Sequence, residues 1–529
     1  MKNLRKGDWV FTLILLAYAL YAALFIQQTS FVIEGKRYYS LFDDAMVSMR
    51  YAKNLAHGYG LVWNPGGERV EGYTNLLWVL YMSLFHLLPV APSKISLFIQ
   101  ISGAVFLLAN LFFVRKIADL VSNGSVFVSV GAAFLTAFYL PLNNWSLQGM
   151  EVGVLTLIVS ASIWKALRCM QQPSFSIWLY ILLGVGTLIR IDMAILFLAI
   201  LAFLIYADPK NRRSNLVWGT LVLTFFILLQ TLFRLWYYGD ILPNTYYLKM
   251  TGFPFWLRIS RGLWVFLDFT QKLNWILFLV PFSIPLFRRD KVILFLLWVF
   301  VAQAMYSIYV GGDAWEPSGG SNRYVSIVMP VFFILFCFGL TSNALFSISA
   351  TRYAKYGMAA LIVIGFINFN SMTGLEAMQE VLLVKPTLHI TDNKRMVTRA
   401  LLLTKITNPQ AKIAVVWAGA IPYFSDRYAI DLLGKSDRKI AHLDMRIPLA
   451  DPLNPITQYT SFYPGHLKWD YGYSIGELKP DVVAQLWEGK EEAYEYLDRD
   501  YTSIYAQGFT LYLRKASANV LWDQLKAIQ

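Results

Sequence analysis

Residues 9–26 read WVFTLILLAYALYAALFI, an apolar run without a charged side chain. A helix rises about 1.5 Å per residue, so this run nearly spans a bilayer hydrocarbon core of about 30 Å. Lys2, Arg5 and Lys6 precede it, as basic residues precede a signal peptide, but its length and the lack of a small-residue cleavage site favour a retained helix. Because basic flanks stay in the cytoplasm, we expect the segment that follows to lie outside it.

The composition assigns the whole chain to the same class. Of its 529 residues 57% are apolar and 15% are charged, and the mean hydropathy is +0.48, whereas soluble domains carry about 25% charged residues. These values exclude a soluble globular protein and a disordered chain, and two cysteines exclude a disulfide-rich secreted scaffold. The net charge of +13 comes from residues 1–371, with 28 basic against 15 acidic side chains, since residues 372–529 hold 18 of each. Basic cytoplasmic turns account for such an excess, so nucleic-acid binding is a poor interpretation.

Ten further apolar runs complete a prediction of about eleven transmembrane helices. They lie near residues 95–114, 124–142, 150–167, 175–189, 191–207, 214–236, 272–287, 291–310, 324–342 and 355–371. Residues 75–90 are interpreted as an interfacial helix, because a crossing there would move Arg115 and Lys116 outside. Every predicted cytoplasmic turn is then basic: Lys2/Arg5/Lys6, Arg115/Lys116, Lys165/Arg168, Lys210/Arg212/Arg213, Arg288/Arg289/Lys291 and Arg352/Lys355. The opposite face collects the acids Asp43, Asp44, Glu68, Glu71, Glu151, Asp192, Asp240, Asp313 and Glu316.

This topology divides the chain into two parts. Residues 1–371 form the membrane part, with a first external loop at residues 27–94, and residues 372–529 lie outside the cytoplasm. In the second part, residues 411–417 indicate a buried strand, and a turn and another apolar run at residues 428–433 follow in a rhythm typical of α/β structure. We therefore expect a polytopic α-helical membrane protein with a C-terminal α/β extracytoplasmic domain.

The first external loop contains LFDDAMVSMRYAKNLAHGYGLVWNPGGERVEGYTNLLW, residues 41–78, the densest polar stretch of the membrane part. Apolar residues at a helical period predict a helix over residues 44–56, with Asp43 and Asp44 at its N-terminus. One aspartate is expected to cap the helix. Successive helical residues point about 100° apart, which leaves the other to face a substrate, and we favour Asp43 over Asp44 for chemistry. Arg50 suits a phosphate or carboxylate contact, and an internal ion pair is an equally good interpretation.

Two further polar groups mark predicted outer ends of the spans. Arg190 and Asp192 lie in TLIRIDMAILFL, residues 187–198, where ionisable groups at membrane depth suggest function, with a structural ion pair as the alternative. Residues 234–250, RLWYYGDILPNTYYLKM, combine cations for a phosphate with aromatic rings for a sugar or an isoprenoid. Its polar and aromatic candidates are Arg234, Tyr237, Tyr238, Asp240, Asn244, Tyr247 and Lys249.

A Gly-rich loop, VGGDAWEPSGGSNRY at residues 310–324, carries Asp313 and Arg323. A flexible turn explains it at least as well as a ligand loop. It contains no Walker-type sequence, the chain has no CxxC or HExxH motif, and its five histidines are scattered. Nucleotide, zinc and serine-hydrolase sites are therefore disfavoured.

Taken in order, these motifs resemble a known family. They are similar to motifs of the polytopic GT-C glycosyltransferases. In chain order they read FDDA after the first span, RYAKNLAHGYGLVWNPGGERVEGYTNLLW, GMEVGVLTL, RID, YYGDILPNTYYLKM, VGGD with a later Arg, GAIPYFSDRYAIDLLG and PGHLKWD. The likeness is to the arabinofuranosyltransferases of the mycobacterial terminal arabinan type and to relatives that arabinosylate pilin. It runs along nearly the whole chain.

The resemblance implies transfer of a sugar, D-arabinofuranose, from a decaprenyl or undecaprenyl phosphate donor. Catalysis would lie with the first-loop carboxylate, Asp43 or Asp44, and the donor phosphate with Arg190, Arg234, Lys249, Arg323 and Arg50. The acceptor would be a glycan or a pilin-like protein at the periplasmic face of a bacterial inner membrane. The family's GLE motif reads Gly149-Met150-Glu151 here, and Glu151 is expected in its place. The resemblance leaves room for a divalent cation on the paired aspartates, although no ligand cluster compels one.

Several other residues are grouped with the site. They include His57, Asn64, Glu71 and Tyr73 in the first loop, where a surface or packing role explains His57 better than catalysis and a turn accounts for Asn64. On the acceptor side they are His466, Lys468 and Asp470, for which a structural role or a contact with the acceptor is favoured over catalysis. Two alternatives stay open: a transferase that uses a polyprenyl phosphate mannose or another hexose, and, less favoured, a lipid-linked sugar flippase. Either stereochemical outcome, inversion or retention, fits the residues.

Overall fold

The computed structural model describes residues 6–314, 316, 322–342, 352–372, 374–387, 389–454 and 456–526. In the first predicted basic turn, Lys2 and Arg5 lie outside the described residues, as does the side chain of Lys6. In the last predicted basic turn, the side chains of Arg352 and Lys355 lie outside them as well. The chain folds as two compact units. We call them the helical unit, within residues 1–29, 100–230 and 254–388, and the mixed unit, within residues 30–99, 231–253 and 389–529.

In the parts of the helical unit that the structure describes, all secondary-structure elements are helices. They are Lys6–Thr29, Pro92–Ser122 from residue 100 onward, Val126–Ala137, Leu140–Leu147, Val152–Gln171, Ile177–Ile189, Met193–Ala207, Arg212–Tyr238 up to residue 230, Phe255–Lys272, Trp275–Phe287, Lys291–Tyr309, Arg323–Ser326, Met329–Ser342, Arg352–Asn370 and Leu375–Val381. Aromatic rings fill part of its core: Phe278 stacks on Phe332 at 5.6 Å between ring centroids, and Phe369 packs edge-on against Phe332 at 5.7 Å.

The apolar helices identify a multi-pass membrane protein. Among the described residues five helices are long and apolar enough to cross a bilayer: Gly7–Thr29, Pro92–Ser122, Val152–Gln171, Arg212–Tyr238 and Lys291–Tyr309. Three bent helix pairs raise the number to eight if each pair is one span. The predicted spans at residues 175–189, 191–207 and 324–342 also contain apolar helices, but these have only 10–17 residues. The figure of eleven therefore stays a prediction.

The segment predicted as an interfacial helix, residues 75–90, contains one short apolar helix. Leu76–His86 has 11 residues, and at about 1.5 Å per residue it covers roughly half of a bilayer core. Its length alone therefore argues against a crossing between residues 75 and 90.

The mixed unit combines short helices with two sheets. Its helices are Asp43–Ala56, Leu76–His86, Asn244–Met250, Ile390–Ile406, Ala420–Ser425, Arg438–Ala441, Ile456–Thr460, the π-helix Gly472–Glu477, Lys490–Asp500 and Trp522–Lys526. Strands β1 (Ser30–Ile33) and β2 (Lys36–Tyr39) form a hairpin. The second sheet contains β3 (Lys412–Val415), β4 (Tyr428–Asp431), β5 (Val482–Val483), β6 (Tyr501–Ala506) and β7 (Phe509–Arg514).

The second sheet is mixed, with strand order β4-β3-β5-β7-β6. β3 runs parallel to β4 and β5, and β7 pairs antiparallel with β5 and β6. Gln507 and Gly508 form the β6–β7 turn with φ of +50° and +82°, the sign that a two-residue hairpin turn requires. The two apolar runs predicted near residues 411–417 and 428–433 are strands β3 and β4, which confirms the α/β structure expected in the C-terminal part. This part forms one compact unit with residues 30–99 and 231–253, and the predicted boundary at residue 371 stays a prediction.

Candidate functional site

Asp43 and Asp44 are the first two residues of the helix Asp43–Ala56, one residue longer than predicted. The N-cap position is Phe42. The Asp43 carboxylate instead accepts hydrogen bonds from the backbone N–H groups of Ala420, at 2.8 Å, and Gly419, at 3.2 Å. These groups open the helix Ala420–Ser425, so Asp43 does cap a helix, but a different one from that expected. A Cβ at residue 419 would overlap the backbone oxygen of Asp43, which explains the glycine.

Burial controls the proton affinity of Asp43. Desolvation raises its pKa to about 6, while the backbone donor of Ala420 and the positive charge of Lys435 pull in the opposite direction. The carboxylate is therefore mostly ionised at pH 7, and it is protonated at pH 5. Its affinity for a proton lies near the neutral range in which a general base works best.

Asp44 has a different partner. Its carboxylate forms an ion pair with Lys435 Nζ, and the side chains of Asp44 and Lys435 are 20% and 19% exposed. Asp431 shapes the turn that carries Lys435 by accepting the N–H groups of Leu433 and Ser436 at 3.0 and 2.7 Å. Asn244, predicted as a donor-binding residue, fixes the same turn because its amide donates to the carbonyl oxygens of residues 434, 435 and 437.

Lys249 and His466 lie in the same unit and complete this group. The stem of Lys249 packs on Gly465, where a Cβ would come within 2.9 Å of Lys249 Cε. Burial lowers the pKa of His466 to about 4, the charges of Lys435 and Lys249 act in the same direction, and Asp44 opposes them. His466 is thus neutral at pH 7. We call Asp43, Asp44, Lys249, Lys435 and His466 the first-loop cluster.

Sequence reasoning missed two members of this neighbourhood. Lys435 follows strand β4 by four residues, a strand-end position that is a common place for functional side chains. His389 packs edge-on against Phe42 with 5.0 Å between ring centroids, and burial lowers its pKa. Neither residue lies in a recognisable sequence motif. Both are identified only because the fold brings them close to the two aspartates.

Other first-loop candidates serve the packing of the mixed unit. Arg50 is buried and donates to the Asp426 carboxylate at 2.6 Å and to the Trp63 carbonyl at 3.0 Å. The sequence left Arg50 with two interpretations, a contact with a substrate anion or an internal ion pair. In the structure Arg50 forms an ion pair, and its partner lies in the C-terminal segment. Asn64 exchanges two hydrogen bonds with the backbone of Ala429, at 2.8 and 3.0 Å. His57 is exposed at the C-terminal end of the first-loop helix.

The segment 234–250 is tied to the first loop by buried contacts. Arg234 forms a two-point ion pair with Glu71, and the side chains are 2% and 5% exposed. Tyr73 and Tyr238 share a hydrogen bond of 2.8 Å between their hydroxyl groups. Tyr237 also contacts the first loop by accepting the N–H of Leu61, whereas Asp240 pairs with Arg438 and Tyr247 stacks on His442, both in the C-terminal segment.

Two of the predicted acceptor-side residues have structural partners. Lys468 is fully buried, and its ammonium group donates to the carbonyl oxygens of Tyr247 at 3.0 Å and Ala441 at 2.9 Å. Asp470 accepts the N–H of Tyr473 at 2.9 Å, at the start of the π-helix. The hydrogen bond from Lys468 to Tyr247 joins the Asn244–Met250 helix to the C-terminal part of the mixed unit.

A sequence motif of serine hydrolases lies within the π-helix Gly472–Glu477. Residues 472–476 read GYSIG, which matches the GxSxG pattern of serine hydrolases. A nucleophile elbow requires an exposed serine between a strand and a helix, whereas Ser474 is fully buried within the π-helix. The pattern therefore indicates no hydrolase site.

The helical unit holds its own charged group, which we call the span-end cluster: Glu151, Arg190, Asp192, Asp313 and Arg323. Arg190 pairs with Asp192 through two nitrogens and lies 3.4 Å from Glu151 Oε1. Arg323 pairs with Asp313 at 2.7 and 2.9 Å. Three acids thus surround two arginines. The structural interpretation of Arg190 and Asp192 as an ion pair fits this geometry.

Aromatic rings cover both arginines of the span-end cluster. The Arg190 guanidinium lies 5.0 Å from the Tyr324 ring centroid, and that of Arg323 lies 5.2 Å from the Trp145 ring. Most of the loop between residues 314 and 322 lies outside the described residues.

A metal at the aspartate pair finds little support in the donor set. Across the parts of the chain that the structure describes, no three His, Cys, Asp or Glu side chains come together as a metal site would require. The Asp43 and Asp44 carboxylates already have backbone N–H groups and an ammonium group as partners. The residues present do not fit a resident cation.

Comparison with known proteins supports the resemblance read from the motifs. The chain is 27% identical over 311 residues to the terminal beta-(1->2)-arabinofuranosyltransferase of Mycobacterium tuberculosis, a region that covers 51% of this chain and 48% of that protein. The chain thus spans about half the length of the curated relative that it matches. Residues 388–515 match a family model described as a domain of unknown function, DUF8728.

Solved structures show the fold. ArnT from Cupriavidus metallidurans, bound to undecaprenyl phosphate, aligns with a TM-score of 0.52 and 11% identity, over 97% of this chain and 99% of that one. The oligosaccharyltransferase of Archaeoglobus fulgidus aligns in its apo form with a TM-score of 0.57 and 12% identity, over 96% of this chain and 75% of that one. Its complex with an inhibitory peptide and a dolichol-phosphate aligns with a TM-score of 0.51. The chain therefore shares its overall fold with these structures, as the resemblance predicts.

Proposed function

We propose that this protein is a membrane glycosyltransferase that transfers D-arabinofuranose from a polyprenyl phosphate donor to an acceptor hydroxyl at the periplasmic face of a bacterial inner membrane. Its similarity to a mycobacterial arabinofuranosyltransferase supports the choice of sugar. The shared fold with transferases bound to undecaprenyl phosphate and dolichol-phosphate supports the choice of carrier. A sugar that leaves a lipid phosphate needs no nucleotide, which agrees with the lack of a Walker motif.

The first-loop cluster carries this proposal. It places two carboxylates of adjacent residues beside an ammonium group, and Asp44 and Lys435 are partly exposed. The Asp43 carboxylate is fixed in position by two backbone N–H groups and has a pKa of about 6. A fixed carboxylate with this pKa suits a general base near neutral pH.

The chemistry is substitution at the anomeric carbon of the donor. In an inverting reaction, Asp43 accepts the proton of the acceptor hydroxyl. The hydroxyl oxygen then bonds to the anomeric carbon while the bond between that carbon and the phosphate oxygen breaks. In a retaining reaction, a carboxylate steadies or traps the positive charge that develops on the sugar ring. Asp44 is the second carboxylate available for that role.

The leaving phosphate needs nearby positive charge. Within the mixed unit we assign this task to Lys249 and Lys435, because Arg50 and Arg234 are buried in ion pairs with Asp426 and Glu71. The roles predicted for Arg190 and Arg323 of the helical unit stay predictions, and in both cases a phosphate would compete with a paired carboxylate.

The proposal is tested by transfer of radiolabelled arabinose from synthetic polyprenyl phosphate arabinose in membranes that carry the full chain. The wild-type protein is compared with Asp43→Asn, Asp44→Asn and the control Asp500→Asn, which removes an exposed carboxylate paired with Arg499. We expect transfer by the wild type and the control and its loss in at least one first-loop variant at equal expression.

Three outcomes would change the proposal. Transfer from a mannosyl donor but not from the arabinosyl donor would replace the sugar and keep the transferase. Full activity of both first-loop variants would remove the carboxylates from the mechanism. Movement of donor lipid across the bilayer without transfer of its sugar would point to a flippase.

A further inference from the structure

A cavity of about 580 Å³ lies within the C-terminal part of the mixed unit. Its walls come from the helices Ile390–Ile406 and Lys490–Asp500, from strands β6 and β7, and from the segments that follow β3 and β5. No member of the first-loop cluster lines it. Its volume falls in the range of about 300–1,000 Å³ that is usual for small-molecule sites.

Two arginines face this cavity without a carboxylate partner. Arg399 is 7% exposed, and its buried Nε has no hydrogen-bond acceptor among the described residues. Arg399 and Arg395 lie over the same ring, that of Phe509, at 4.4 and 5.7 Å from its centroid. Within the described part of the chain, neither arginine has an acid within ion-pair distance.

The remaining charges at the cavity leave it positive. Lys490 contributes a third cation, and the cavity's one described acid, Asp392, lies 3.5 Å from His389 Nδ1. Burial and the neighbouring charge of Arg395 lower the pKa of Arg399 to about 10, so it still carries its charge at pH 7. A buried charge is normally paired. An anion entering the cavity would supply the missing partner, with the planar donor fork of arginine suited to carboxylate or phosphate.

The rest of the cavity surface suits a sugar. Tyr494 and Tyr505 are 40% and 70% exposed, and Tyr512 and Trp417 add two further aromatic side chains. The C–H faces of sugar rings pack against such rings, while hydroxyl groups bond to side chains such as Thr510 at the cavity wall. An acidic peptide would match the arginines but would leave the aromatic faces without a matching partner.

We propose that this cavity binds an anionic sugar unit of the acceptor glycan, with Arg395 and Arg399 holding its carboxylate or phosphate group and the tyrosines packing against the ring. That the bound glycan is the acceptor rests on the proposed function. The binding itself does not.

Calorimetry on the full chain in detergent tests the binding. The probes are trigalacturonate, mannose 6-phosphate, neutral galactotriose and hexaglutamate, compared in wild type, Arg395→Gln, Arg399→Gln and the control Arg499→Gln. Arg499 is an exposed arginine paired with Asp500. We expect trigalacturonate or mannose 6-phosphate to bind and the control to match wild type. Each cavity variant should weaken binding about tenfold or more, since hydrogen bonds to charged groups are the strong ones.

The outcomes separate the anion, the sugar and the enzyme. Preference for trigalacturonate identifies a carboxylate and preference for mannose 6-phosphate a phosphate. Equal binding of galactotriose, tighter binding of hexaglutamate, or unchanged binding in Arg395→Gln would each overturn the proposal. Arg395 is exposed, so its replacement keeps the test valid if Arg399→Gln fails to fold. If the wild-type chain binds the probes but shows no sugar transfer, the proposed function is overturned and the proposed binding site is retained.

Discussion

The first-loop cluster and the span-end cluster both combine acidic with basic side chains, but their charges are satisfied differently. In the span-end cluster, Arg323 and Asp313 form a two-point pair, and their side chains are 8% and 1% exposed. In the first-loop cluster, Asp44 and Lys435 form a pair whose side chains are 20% and 19% exposed. The Asp43 carboxylate has backbone donors instead of a cation as its nearest partners.

The difference indicates which charges hold structure and which remain available for chemistry. A substrate can bind to one partner of a buried ion pair only if that pair separates. Separation leaves the other charge buried without a partner, which costs free energy. A partly exposed pair can exchange its partner with a substrate at lower cost. We therefore assign chemistry to the first-loop cluster and stability to the Arg323–Asp313 pair.

The largest expected effect is loss of transfer on removal of the first-loop carboxylates. Asp43→Asn should lower the rate of sugar transfer about 10²- to 10⁴-fold, the usual contribution of a general base. Thermal unfolding should show a folded protein, since an asparagine amide oxygen can still accept from Ala420. A rate within a factor of about two of wild type, measured by radiolabel transfer, would show that this comparison assigns the wrong cluster to chemistry.

A stability loss is expected from the opposite cluster. Arg323→Gln should lower the free energy of unfolding by about 3–5 kcal/mol, because it leaves the Asp313 carboxylate buried without its cation. Arg499→Gln, which removes an exposed paired arginine, should change it by less than about 1 kcal/mol. Denaturant unfolding of the full chain in detergent measures both. Equal stabilities would mean that the Arg323 pair is not the structural element proposed here.

A smaller effect is expected from Lys435. Lys435→Gln should lower the transfer rate about tenfold to a hundredfold, as expected when one group that stabilises developing negative charge is removed. The double variant Asp44→Asn/Lys435→Gln distinguishes two roles. If Asp44 and Lys435 serve only to neutralise each other's charge, the double variant is more active than Asp44→Asn. If each residue acts on the substrate, the double variant is no more active than the less active single variant.

The smallest effect follows from pH. The pKa of Asp43 is raised to about 6, so the base is mostly ionised at pH 7 and mostly protonated at pH 5. The wild-type transfer rate should therefore fall about tenfold from pH 7 to pH 5. The pKa of His466 is about 4; a rate that holds to pH 5 and falls only near pH 4 would move the base role from Asp43 to His466.

Local patterns predicted several features correctly. The hydropathy of the runs identifies a multi-pass protein, the helical period of Ala45, Met49 and Ala52 places the first-loop helix within one residue of its observed start, and two apolar runs mark strands β3 and β4. The number of membrane spans was harder to predict. Helices such as Ile177–Ile189 are short, and their apolar composition does not decide whether they cross the membrane.

Partners distant in sequence could not be predicted in this way. Arg50 was suited equally to a phosphate and to an ion pair, and its partner Asp426 lies 376 residues further along the chain. Lys435 lies 391 residues from Asp44 and was absent from the predicted site. Nothing within a window of the sequence relates such positions.

Hydropathy and periodicity depend on neighbouring residues, and they are sufficient to predict the membrane class, the first-loop helix with its two aspartates, and the α/β character of the C-terminal part. The folded chain is needed to show that Asp43 caps the helix that begins at Ala420, that Asp44 pairs with Lys435, and that Arg234 forms a buried ion pair with Glu71. Ion pairs and burial depend on which distant segments the fold brings together, and a carboxylate takes its pKa from those surroundings.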